Sequence, residues 1–446
     1  MVIRTGKQLD RDFLVKAVND KLATNHRLQR LQDYYEGKQD IVKRHYRDPT
    51  KPNNRVVVNY CRKIADFLTS YLVGVPVRHE APEIVLDILG YNDEAETTQA
   101  IARNVNIMGF GCELLYTDED GFARFASIDP REAIFIMDDS IQGNMTAFIR
   151  LYPNVDEEDL FNLYIYTDTH ITEYRMSQAV GELTLIGETP HFFQGVPAIF
   201  YPNNPELMGT FEGIIPLQNA INTVMSDEVN DFESFVDAYL VLKGMQATQP
   251  EDVAKMKEDR ILLLDGESKA EWLIKNVNPA HLEQLKKSLI TKIHELGGIP
   301  DIDNLGSFGA SGVALRYKLI STEIQASGQE RVMLKGLQRR LKLLYNVLRF
   351  TDSDIGQYTD VKICFERNFV MDLDKVEKQQ HDLALVSGQV LSKETYLQIH
   401  KGMTPEEAKE EMEKVFEEAA IDFSMADNEN EEEEEECQNE KTSKKN

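Results

Sequence analysis

Residues 34–77, YYEGKQDIVKRHYRDPTKPNNRVVVNYCRKIADFLTSYLVGVPV, decide how the first part of this 446-residue chain is built. Leu22, Leu28, Leu31, Tyr34 and Tyr35 run at helical spacing into Gly37, and a glycine there supplies the left-handed conformation that ends a helix. Pro52 followed by Asn53 and Asn54 favours a turn. Asn59 then stands at an N-cap position, ahead of an apolar face of Tyr60, Ile64, Phe67, Leu68 and Tyr71, and Gly74 with Pro76 stops this second helix. The stretch therefore predicts helix, basic loop, turn and helix. Two helices of an unrelated α+β domain carry the same local signals, so the rest of the chain must arbitrate.

Composition bounds the class. A length of 446 residues suggests roughly two to four domains, and 42% hydrophobic content is enough for real cores. No apolar run approaches the roughly 20 residues that span a bilayer, and MVIRTGKQLDRDF lacks the apolar centre of a signal peptide. Cys61, Cys112, Cys364 and Cys437 have no paired spacing, which argues against a disulfide framework or a zinc site. With 49 basic and 76 acidic residues the net charge is −27, the wrong sign for a protein that grips phosphates in sequence-specific DNA binding. Part of that excess lies in the tail, where Asp427, Glu429, Glu431 to Glu436 and Glu440 should be disordered by self-repulsion, serving solubility or docking a basic partner.

Catalytic signatures are missing. No Lys-Ser or Lys-Thr follows a phosphate-binding glycine spacing, Gly109 and Gly111 lack a third glycine, and the nine histidines show no HExxH pattern. Adjacent Asp138 and Asp139 sit on a strand turn, where neighbouring side chains point apart and are solvated. No enzyme, metal or cofactor is expected.

The pattern changes in a definite order along the chain. Strands at 112–117, 122–128, 133–137, 145–152 and 162–167 predict an antiparallel sheet of meanders. A helix over Ile214 to Leu240 follows, with Ile214, Leu217, Ile221, Val224, Phe232, Phe235 and Tyr239 on one side and Asp227, Glu228, Asp231, Glu233 and Asp237 on the other. No Lys or Arg stands between Glu212 and Leu242, so packing rather than local ion pairs must hold it. A short helix near 250–258, a strand over 260–264, an Asp265-Gly266 turn and a strand around 272–274 form a small insert. A second amphipathic helix over Ala280 to Leu296 closes it. Residues 297–312 hold five glycines in sixteen positions; Asp301 and Asp303 sit there without the further oxygen ligands a calcium loop needs.

Val313 to Arg349 predicts the longest helix, about 55 Å at ~1.5 Å per residue, with a kink near Ser327 and Gly328. Arg316, Lys318, Arg331, Lys335, Arg339, Arg340, Lys342 and Arg349 make it basic; that face is either solvated or docked on acidic surfaces of neighbouring subunits. A strand at 361–369 and helices at 373–387, 393–400 and 404–420 finish the pattern, the last opened by a Thr404-Pro405-Glu406-Glu407 capping box.

Tyr34-Tyr35-Glu36-Gly37, Lys51 to Arg55, Asn59, Tyr71 to Gly74 and Pro76-Val77 resemble, in order and spacing, the signature of bacteriophage portal proteins. So do Ile128 to Arg131 with Phe135 and Asp138-Asp139, Val196-Pro197, Tyr201 to Asn204, and Ser311 to Lys318. The resemblance spans roughly residues 20–420. It implies an α+β portal fold assembled as a ring, usually of twelve subunits. The implied parts are a wing (1–213), a stem helix (214–240), a clip (241–279), a second stem helix (280–297), a tunnel loop (298–312), a long wing helix with a closing strand (313–370), a crown (371–423) and the acidic tail (424–446).

On that reading Asp227, Glu228, Asp231, Glu233, Asp237, Lys286, Lys287 and Lys292 line the channel. Asp301, Asp303, Gly306, Ser307, Phe308 and Gly309 form the tunnel loop. Lys255, Lys257, Arg260, Asp265 and Trp272 belong to the docking clip, although a lone tryptophan between strands ordinarily fills a core or an interface. The implied partners are other copies of the chain, the terminase large subunit, which carries the ATP chemistry, a head-completion adaptor, major capsid and scaffolding proteins, and duplex DNA passing without sequence specificity. The implied location is one capsid vertex of the virion after assembly in the host bacterial cytoplasm, with no membrane involved. The competing reading is an acidic structural adaptor or DNA mimic without a channel.

Overall fold

Asp10 accepts the Phe13 N–H and opens α1 (Arg11–Glu36), and Gly37, at φ 87°, closes it. Asn59 caps α2 (Tyr60–Val73) by accepting the Arg62 N–H at 3.1 Å. The ends at Gly37 and Asn59 lie where the sequence places them, because cap chemistry is local. The computed structural model describes the chain except residues 8, 46–51, 155, 158, 178–180, 237–238, 244–268, 274–278, 302–311, 352–357, 359–360, 368–371, 406 and 416–446.

After α2 come β2 (Arg78–Glu80), α3 (Glu83–Tyr91) and α4 (Glu94–Met108). Gly109, at φ 83°, then turns the chain against the Leu207 carbonyl, where a Cβ would collide with backbone.

The expected antiparallel sheet of meanders is corrected to two sheets. β3 (Phe110–Thr117) and β4 (Ala123–Ile128) join β10 (Ala198–Pro202) in a three-stranded antiparallel sheet ordered β10-β3-β4. The larger sheet runs β1 (Val2–Arg4), β5 (Ala133–Met137), β6 (Met145–Pro153), β7 (Leu160–Tyr166), β8 (His170–Ser177) and β9 (Leu183–Pro190), with β1 and β5 parallel. The last two strands were not anticipated: HITEYRMS and LTLIGETP carry few buried residues, so the apolar alternation that announces a strand is weak.

Two cores result. Leu14 and Val18 of α1 pack on Ile134, Ile136, Ile149, Leu163 and Ile165 of the larger sheet. The other core gathers Leu28, Leu31 and Tyr34 with Ile64 and Leu68 of α2, Phe110 and Cys112 of β3, Phe135 and Phe148 of the larger sheet, and Ile214 and Ile221.

The predicted helix over 214–240 is shorter. A turn of 3-10 helix (Glu212–Ile214) leads into α5 (Ile215–Val236), and Tyr239–Lys243 is strand β11, paired antiparallel with β12 (Lys269–Leu273). The run Tyr239, Leu240, Val241, Leu242 suits either helix or strand, and the ladder formed with a segment some thirty residues away decides for strand. The expected elements at 250–258 and 260–264 lie outside the described residues, and the second insert strand begins at Lys269 rather than near Trp272.

α6 (Pro279–Gly297) and α7 (Gly312–Thr351) follow, and α7 stays helical through Ser327 and Gly328. The closing strand is only β13 (Lys362–Cys364), paired with β2. Residues 369–446 form a separate unit holding α8 (Asp372–Ser387) and α9 (Lys393–Lys401). Within it the expected capping box forms: Thr404 N–H donates to Glu407 Oε2 at 2.8 Å and Glu407 N–H to Thr404 Oγ1 at 3.3 Å.

Candidate channel and docking residues

α5 is organised by a row of polar residues four apart: Gln218, Asn222, Ser226 and Asn230, all buried. Alongside runs the extended segment from Asn54 to Tyr60. Asn230 Oδ1 accepts the Asn54 N–H at 2.7 Å, Ser226 Oγ that of Val56 at 2.9 Å, Asn222 Oδ1 that of Val58 at 2.9 Å, and Gln218 Oε1 that of Tyr60 at 3.1 Å. Four helical residues rise about 6 Å and two extended residues about 6.6 Å, so the two repeats stay in step over this length. The helix thus supplies what a neighbouring strand would, satisfying every second N–H from Asn54 to Tyr60. Gln218 also donates to Val58 O, and Asn222 to Gln39 Oε1, tying the ladder to the end of α1. The sequence reading missed this row; its signal is amide and hydroxyl side chains repeating at i, i+4 inside an apolar helix.

The acidic residues of α5 receive their counterions from distant segments. Arg44 Nη1 reaches Asp227 Oδ1 at 2.8 Å. Lys286 of α6 reaches Glu228 at 2.9 Å and also pairs with Glu283. Those two carboxylates, Glu283 first, hold Lys286 above its ordinary range. Glu233 accepts from Asn54 Nδ2 at 2.6 Å. Asp231, Phe232 and Glu233 are exposed. Asp227 and Glu228 are half-buried, so the polar side of α5 is less uniformly negative than its sequence.

Lys287 and Lys292 are exposed, the latter paired with Glu295 at 2.6 Å. Trp272 lies on β12, its backbone opposite Leu240. Asp301 is half-buried just beyond α6. Asp237, Lys255, Lys257, Arg260, Asp265, Asp303, Gly306, Ser307, Phe308 and Gly309 lie outside the described residues.

A second polar cluster, with no local sign in the sequence, anchors α7. The fully buried Arg340 donates from Nε to Glu113 Oε1 at 2.5 Å, from Nη1 to Glu94 Oε1 at 2.9 Å and from Nη2 to Thr98 Oγ1 at 3.1 Å. Its guanidinium lies 4.4 Å from the Phe125 ring centre, and Tyr201 OH donates to Glu113 Oε2 at 2.6 Å. Burial opposes the charge on Arg340, but Glu113, Tyr201 and Glu94 outweigh it and raise its pKa. Burial also pushes the Glu94 carboxyl up, yet His79, Arg340 and Thr98 together bring it down to about 2. Burial pushes Glu113 up despite the bonds it accepts. These groups join α4, β3, β10 and α7, and Glu94 with His79 also lines an open surface pocket. Among the described residues no group of three His, Cys, Asp or Glu could hold a metal ion, and no described helix is long and apolar enough to cross a membrane.

Against known families, residues 16–422 match the one described as phage portal protein, SPP1 Gp6-like. The chain belongs to this portal protein family. It is 23% identical over 430 residues to the portal protein of Bacillus phage SPP1, covering 91% of this chain and 83% of that relative. Solved chains similar to it include one in a virion of a native gene transfer agent particle (TM-score 0.45, 13% identity, 77% of this chain and 90% of that one). Another comes from the neck of a native gene transfer agent particle computed with C12 symmetry (TM-score 0.46, 12% identity, 76% and 89%). As a portal protein the chain is a structural component of the virion at its portal vertex, and it is not an enzyme.

Proposed function

We propose that copies of this chain assemble into the ring-shaped channel at one capsid vertex through which DNA is packaged and later ejected. The observation that carries this reading is the family match over nearly the whole chain, residues 16–422. On this reading the residues before α5 form the wing, and α5 and α6 the stem. The β11–β12 pair with its intervening chain is the clip, where the terminase large subunit and later a head-completion adaptor dock. Residues 298–312 are the tunnel loop, and α7 with β13 returns to the wing, held by capsid and scaffolding proteins. The unit from 369 supplies the crown.

A channel wall must let duplex DNA slide. A net charge of −27 opposes phosphate adsorption, while Lys286 is taken up by Glu228 and Glu283.

Electron microscopy of the purified full-length protein tests the reading. Rings with a central hole, usually twelvefold in this family, support it; a persistent monomer refutes it and favours an acidic adaptor or DNA mimic. Tight, salt-sensitive binding of duplex to the rings would refute the sliding wall.

A further inference from the structure

Among the described residues, large apolar side chains remain exposed in a line on α7 and as a pair on α5. On α7, Tyr317 is 71% exposed, Ile320 49% and Ile324 71%, at helical spacing. The same outward line continues through Gly328 to the exposed Arg331 and Lys335. On α5, Val229 is 40% and Phe232 76% exposed, flanked by the exposed Asp231 and Glu233. A lone exposed apolar residue needs no account; a line of three beside a charged rim marks an interaction surface. The line and the pair are exposed in the same subunit, so neither covers the other within the chain.

Their charges are opposite. The stretch from Gly213 to Leu242 contains no Lys or Arg. The acids of α7, Glu323 and Glu330, are both taken by Arg367, at 2.9 and 2.6 Å, which leaves the outward line of α7 basic. Contacts between two different surfaces of identical subunits propagate head to tail and close into a ring when the rotation permits.

We propose that the occupant of the α7 line is a second copy of this chain: Val229 and Phe232 of one subunit seat on Tyr317, Ile320 and Ile324 of the next, with Asp231 and Glu233 meeting Arg331 and Lys335. Glu233 keeps acceptor capacity beyond its bond from Asn54. This contact rests on the ring reading above and deepens it by naming the surfaces that meet.

The test uses full-length chains. A Phe232→Cys variant and an Ile324→Cys variant, carrying different tags, are co-expressed and treated with a short bismaleimide. Ile141→Cys, on a fully exposed turn, replaces either partner as the control for the native cysteines. A covalent dimer containing both tags, well above the control, is expected only for the 232/324 pair. In parallel, Arg331→Glu with Lys335→Glu should cut the multimer at least tenfold by native mass spectrometry, and adding Asp231→Lys with Glu233→Lys should restore it. A wild-type multimer that gives no 232/324 cross-link above control, or that the reversed charges leave intact, overturns this contact while the ring reading stands. A wild-type chain that never multimerises overturns both.

Discussion

Replacing Arg340 by Met tests whether α7 is held by its buried charge cluster. The side chain is fully buried and donates to Glu113, Glu94 and Thr98. Met fills similar space without the charge, leaving Glu113 with Tyr201 OH alone and Glu94 with Thr98 and the nearby His79. Removing one partner of a buried ion pair costs about 3–5 kcal/mol, chiefly because the remaining carboxylate is uncompensated. Against a total stability of roughly 5–15 kcal/mol this is a large loss. For the unit Met1–Asn368, an unfolding entropy of ~2.1 cal/mol/K per residue converts 4 kcal/mol into about 5 °C. The assay is thermal melting of the full-length protein at fixed concentration, read together with the Arg340→Met/Glu113→Gln double variant. Neutralising Glu113 removes the stranded charge while its amide carbonyl still accepts from Tyr201, so the double variant should recover at least ~1 kcal/mol relative to the sum of the single losses. The exposed Lys342→Met should move the transition by under about 0.5 kcal/mol. Melting of Arg340→Met within about 1 °C of wild type, or strict additivity in the double variant, would refute the reasoning.

Gly336 of α7 faces the Tyr201 ring so closely that a Cβ would overlap it, whereas Gly328 has open space around it. Gly336→Ala should destabilise by ~1–3 kcal/mol and Gly328→Ala should stabilise by ~0.5–1 kcal/mol, opposite signs in one helix by denaturant melting. Asn222→Leu strands the Val58 N–H and the Gln218 and Gln39 amides; a loss of about 1–3 kcal/mol and faster hydrogen exchange over 54–60 are expected, and unchanged exchange would remove the ladder's role. The Glu94 carboxyl lies near 2 when folded against 4.5 unperturbed, so its stabilisation is complete above about pH 4.5 and fades as pH falls toward 2. Wild type should therefore lose stability more steeply than Glu94→Gln across that window, and parallel curves would deny the linkage. In the proposed tunnel loop, Gly306→Ala with Gly309→Ala should leave ring assembly intact yet lower DNA packaging into heads; disassembly, or full packaging, would favour a plain connector.

Local chemistry was enough for the end of α1, the start of α2 and the capping box at Thr404. Asp10, Gly37, Asn59 and the Thr404–Glu407 pair act on backbone groups within a few residues of themselves, so their neighbours in sequence are their partners in space. The stretch from Tyr34 to Val77 resembles the portal signature, and the matches at Ile128 to Arg131, Tyr201 to Asn204 and Ser311 to Lys318 arbitrate in its favour. Long-range structure decided the rest. Tyr239 to Lys243 becomes a strand only because Lys269 to Leu273 pairs with it. The sequence of β3 and β4 cannot say that they leave the larger sheet, since sheet membership depends on β10, some 70 residues later. α5 reads as a helix without cations, yet Arg44 and Lys286 come to it from 183 and 58 residues away. Arg340, one more basic residue on a basic helix in sequence, is buried because Glu113 and Glu94 converge on it from more than 220 residues upstream. An ion pair is a property of two positions, and only the folded chain brings the second one within reach.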